Sequence, residues 1–66
     1  MTSIERKARK YVKGLYFDYK DIKTHETFSD YYDAMLMLRN LFPDSTNEET
    51  LERTWDVEWK KENRDD

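Results

Sequence analysis

Apolar residues recur along this chain at spacings of three and four in three separate runs, and the polar residues between the runs carry the punctuation of helix ends. In the first run Ile4, Ala8, Tyr11, Val12, Leu15, Tyr19 and Ile22 fall on one stripe, which predicts a helix from about residue 3 to 22. Thr2-Ser-Ile-Glu5 fits a capping box at its start: the threonine hydroxyl can accept a backbone N–H while Glu5 reaches back. Gly14 weakens this helix by roughly 1 kcal/mol relative to alanine. Leu15-Tyr-Phe-Asp-Tyr19 would suit a strand as well as a helix. A helix ending near Lys13, followed by a short strand, is therefore the alternative.

The second run predicts a helix that starts at Thr27 or Ser29 and continues to about Phe42, where Pro43 disfavours helical geometry in the residue before it. Phe28, Tyr31, Tyr32, Met35, Leu38 and Phe42 form its main apolar face. Ala34, Leu36, Met37 and Leu41 extend apolar character around most of the circumference, as expected of a helix that is central or shared with a partner. Leu36, Met37 and Leu41 are accordingly candidate contacts for a partner or for a second copy. The third helix opens at Thr46-Asn-Glu-Glu49, a second capping box, with Glu48 and Glu49 near the positive end of the helix dipole. Leu51, Trp55 and Trp59 form its narrow stripe, with Trp55 as the principal core anchor. The charged stretch from Lys60 to Asp66 has no apolar anchor and is expected to fray. With short links at 23–26 and 43–45, these runs predict an all-α fold, a small three-helix domain spanning residues 1–66.

Composition turns this outline into a problem of surface. The chain has 66 residues and is 41% charged, yet it carries five tyrosines, three phenylalanines and two tryptophans. A domain this short buries only roughly 60% of the surface its unfolded chain exposes. Rings left outside would serve a partner, because aromatic side chains dominate interface energetics. A mean hydropathy of −1.19 leans toward disorder, but large apolar residues at helical spacing argue for a fold. The absence of cysteine excludes disulfides and thiolate metal sites and suits a reducing cytoplasm. No apolar run reaches the roughly 18 to 20 residues that span a bilayer, and the first residues lack the apolar stretch of a secretory signal. A cytoplasmic chain without membrane contact is the expectation.

Charge is divided unevenly. Residues 1–24 carry seven lysines or arginines against three acids, a net of +4, whereas residues 25–66 carry five against twelve, a net of −7. Such a split lets a basic first helix lie against an acidic last one, or offers faces of opposite sign to different partners.

Little in the chain resembles catalytic chemistry. His25 stands in the first link with no cysteine or Gly-rich phosphate loop to work with. Asp30 and Asp33 share a helical face, but no histidine or third acid follows at a matching interval. Asp44-Ser-Thr-Asn-Glu-Glu49 lacks the central glycine and ligand register of a calcium loop and reads better as a helix cap. No enzyme activity, catalytic residue, metal or cofactor is expected.

Two binding readings remain. Lys10, Lys13 and Phe17, with Arg6, lie opposite the apolar stripe of the first helix, where cations beside an exposed ring could engage phosphates and a stacked base. A sequence pI near 5.1 argues against nucleic acid, and a helix that bends near Gly14 would instead make Phe17 part of the core. In the acidic half, Asp44, Glu48, Glu49, Glu52, Asp56 and Glu58 are offset only by Arg53. That ridge could occupy a basic groove on a nucleic-acid-handling protein, or be a solvated helix face. Leu41-Phe42-Pro43 followed by Leu51 resembles the Met-Phe-Pro turn and next helix of the ubiquitin-binding CUE domains, three-helix modules in which that turn contacts ubiquitin. The di-leucine of the CUE third helix has no counterpart, and a long basic helix precedes the turn. The leading expectation is a small protein-binding regulator or inhibitor, of the kind viruses use against host machinery, with a protein partner and compatible with homodimerisation. A nucleic-acid-binding module using the first helix is the alternative.

Overall fold

The computed structural model describes residues 3–62, which form three helices: α1 (Ser3–Asp21), α2 (His25–Leu41) and α3 (Glu48–Glu62). The all-α, three-helix expectation holds. No strand occurs among the described residues, so the short strand after Gly14 is corrected: Leu15 to Asp21 continue α1. Gly14 keeps ordinary helical geometry and sits on an open face, so its cost is carried as lost propensity alone. Thr2 lies outside the described residues, and with it the capping box expected there.

The start of α2 lies earlier than the sequence reading placed it. Thr24, not Thr27 or Ser29, is the N-cap: its backbone is extended (φ −114°, ψ 164°) and its hydroxyl accepts the Thr27 N–H at 3.1 Å. The Thr24 N–H in turn donates to the Thr27 hydroxyl oxygen at 3.1 Å, so threonine plays the part glutamate usually takes in this box. At the other end Pro43 stops the chain as expected, with Phe42 leaving helical geometry while its N–H still reaches the Leu38 carbonyl at 2.9 Å. The cap of α3 also shifts by one residue. Asn47 Oδ1 accepts the Thr50 N–H at 3.0 Å, whereas the Thr46 hydroxyl points back toward the Leu38 carbonyl. Helix α3 runs through Lys60 and Lys61 to Glu62, and the remainder of the charged tail, residues 63–66, lies outside the described residues.

Helices α1 and α2 form an antiparallel hairpin. The Tyr19 and Phe28 rings meet at 5.4 Å at the closed end, and the N-terminal turns of α1 meet the α2–α3 loop at the other. There Glu5 is buried, and the Ser45 hydroxyl donates to both its carboxylate oxygens, at 2.9 and 3.2 Å. The Arg9 guanidinium donates to the Ser45 carbonyl beside it. Helix α3 packs on one side of the hairpin. The core is Val12 and Tyr16 from α1, Tyr31, Ala34, Met35 and Leu38 from α2, and Trp55 from α3. Val12, Met35 and Leu38 are fully buried, each contributing roughly 1.5 to 3 kcal/mol of apolar burial.

Candidate functional site: the open face of the helical hairpin

Rotation of α1 decides which surface remains for a partner. Tyr16 faces the core, its ring 4.9 Å from Tyr31 and 5.8 Å from Trp55. Because Val12 and Tyr16 are the inward pair, Ile4, Tyr11 and Ile22 turn away, although they belong to the stripe expected to be buried. Phe17 moves the opposite way. It packs against the edge of the core beneath Lys13, whose ammonium stands 5.9 Å from the ring centroid, so it is not the outward-facing ring that a straight helix suggested.

The charge division is absorbed in part within the fold. Lys13 pairs with Glu58 at 3.5 Å and Lys20 with Asp56 at 3.1 Å, joining basic α1 to acidic α3. Glu48 pairs with Arg39 at 3.4 Å and Glu49 with Arg53 at 3.3 Å. Glu52 accepts the Tyr31 hydroxyl at 2.5 Å, and Asp56 accepts the Tyr16 hydroxyl at 2.7 Å. Thus every carboxylate of the ridge from Glu48 to Glu58 has a partner inside the chain. Surface pairs of this kind contribute little to stability, about 0 to 1 kcal/mol each, but they neutralise the field a basic partner would feel. Burial, and then the hydrogen bond to a carboxylate, push the Tyr16 and Tyr31 hydroxyls well above the usual tyrosine range. The same bond from Tyr16, reinforced by Lys20, holds Asp56 below the usual carboxylate range.

Apolar surface remains on the side of the hairpin away from α3. One groove, continuous through Tyr11, Ala34 and Met37, runs between α1 and α2 from Lys7, Ala8 and Leu41 at one end to Leu15, Asp30 and Asp33 at the other. Tyr11 is 60% exposed, Met37 52% and Leu41 62%, while Ile4, on the same side of α1, is 74% exposed. Of the residues expected to meet a partner, the structure brings Met37 and Leu41 together here. Leu36 lies elsewhere, half-buried in a shallow recess with Arg39, Asn40, Pro43 and Thr46. Lys10 and Lys13 border a separate α1–α3 cleft with Arg6, Arg9 and Trp55. Ile4 and Tyr11 were missed as surface residues. Ile4, Tyr11 and Ile22 follow one edge of the α1 stripe, and Glu5, Val12, Tyr16 and Tyr19 the other, but spacing alone does not say which edge is buried.

Among the described residues no three histidine, aspartate or glutamate side chains converge on a metal-sized site, and no helix is long and apolar enough to cross a membrane. Comparison with known proteins finds no matching family model and no similar curated protein or solved structure.

Proposed function

We propose that this chain is a protein-binding module, a small regulator or inhibitor in kind, whose contact surface is the groove between α1 and α2. The observation that carries this reading is the alignment of Ile4, Tyr11, Met37 and Leu41, each more than half exposed, along one face of a domain whose acidic ridge already has internal partners. Contiguous exposed apolar side chains on a small soluble fold mark interaction sites. The groove suits a helix that presents apolar residues flanked by charges opposite to Lys7 at one end and to Asp30 and Asp33 at the other. On this reading the chain acts in the cytoplasm by binding, without catalysis or cofactor. Nucleic acid binding through α1 is less well supported, because Lys13 is engaged by Glu58 and Phe17 is half-buried.

Affinity capture from the source cells at low and high salt tests the reading with three chains: wild type, Met37→Glu, and the pair Lys10→Gln, Lys13→Gln. Proteins retained by the wild type should be lost with Met37→Glu and kept with the lysine pair, with weak dependence on salt. Retention by Met37→Glu would overturn the assignment of the groove. Loss with the lysine pair, together with steep salt dependence, would instead establish nucleic acid as the ligand.

A further inference from the structure

We infer that the occupant of the α1–α2 groove is a second copy of this chain, docked end for end to make an antiparallel four-helix assembly. The inference rests on the groove being the contact surface and names its partner. The groove is polarised: Lys7 stands beside Leu41 at one end, and Asp30 and Asp33 stand beside Leu15 at the other. None of these three charged residues has an ion pair among the described residues, in contrast to the ridge on α3. A surface with a cation at one end, carboxylates at the other and apolar residues between them is complementary to itself under a two-fold rotation. With the axis running across the groove beside Tyr11 and Met37, Lys7 of one protomer approaches Asp30 and Asp33 of the partner subunit. Tyr11 and Met37 of both copies then meet at the centre. The alternative axis, along the groove, would set lysine against lysine and aspartates against aspartates, and is disfavoured by like charge.

Gly14 supports the same arrangement. Lys7, Tyr11, Gly14 and Asp18 follow one another at steps of four, three and four, and therefore share the exposed face of α1 that borders the groove. Within the chain nothing requires a glycine there, since the backbone is helical and a Cβ would meet no atom within 4 Å. Bare backbone at that point lets a second helix approach closely. In this assembly the regulator is a dimer, and any other protein must compete with the second copy for the groove.

Sedimentation equilibrium of the full chain from about 5 to about 500 micromolar should show a monomer–dimer equilibrium with its midpoint inside that range. Lys7→Glu alone, and the pair Asp30→Lys, Asp33→Lys alone, should each weaken self-association by about tenfold or more, because each places like charges together twice. An equimolar mixture of the two variants should restore a dimer at least as tight as the wild type. Unchanged helical circular dichroism in each variant would show that the fold is retained. A wild type that is strictly monomeric across the range, or charge variants that dimerise as the wild type does, would overturn the second-copy assignment. The groove reading fails by a different result, retention of captured proteins by Met37→Glu, so the two failures are distinguishable.

Discussion

Tyr16 joins all three helices: its ring lies between Tyr31 and Trp55, and its hydroxyl donates to Asp56. Removing only the hydroxyl, with Tyr16→Phe, should destabilise the domain by about 2 kcal/mol, the range for a hydrogen bond to a charged acceptor, as measured by urea unfolding. The same bond fixes a pH dependence. Asp56 titrates lower in the folded chain than in the unfolded one, so its contribution is present above the unfolded value near 4 and fades as pH falls through the folded value. Tyr16 and Tyr31 titrate higher when folded, so their contribution is complete below about pH 10 and is lost as pH rises through the folded values. Stability should therefore fall on both flanks, and Tyr16→Phe should flatten both. An acid flank identical in the variant would mean that the Tyr16–Asp56 bond does not set it. Trp55, buried against Tyr16, makes the larger test of the core. Trp55→Ala should cost about 3 to 5 kcal/mol, comparable to the whole stability of so small a domain, and abolish the cooperative thermal transition.

At the level of the helices, the termini show what local sequence could and could not reveal. Asn47→Ala should cost about 1 kcal/mol in a thermal or urea melt, while Thr46→Ala should cost distinctly less, because the asparagine holds the N–H of Thr50. An equal or reversed order would return the cap to Thr46. Pro43 and the Trp55 stripe were legible because each acts locally: a proline beyond the first turn breaks the helical hydrogen-bond ladder, and a tryptophan among charges has one face to bury. Thr24 was overlooked because the sought signature ends in glutamate or glutamine, and a threonine in that place makes the same reciprocal bond. The rotation of α1 was not legible from its own pattern. Tyr11, Leu15, Tyr16, Phe17 and Tyr19 offer aromatic or apolar character on nearly every side, and the choice was made by α3, which supplies Asp56 for the Tyr16 hydroxyl and Glu58 for Lys13.

Across the whole molecule, the uneven charge and the abundance of rings have separate outcomes. The basic and acidic halves meet each other through Lys13–Glu58 and Lys20–Asp56, whereas the rings divide between a core built on Tyr16, Tyr31 and Trp55 and an open face that includes Tyr11. The proposed groove was thus only partly legible: the width of the α2 apolar arc marked Met37 and Leu41 as surplus apolar surface, but the exposure of Ile4 and Tyr11 required the rotation of α1 to be known. We propose contact through the α1–α2 groove rather than the α3 ridge. It is tested most directly by placing a photo-crosslinking amino acid at Met37 and, separately, at Arg53 on exposed α3, then irradiating in the source cells and weighing the products. Contact through the groove should give a protein adduct from position 37 and none from position 53. An adduct from 53 with none from 37 would contradict it.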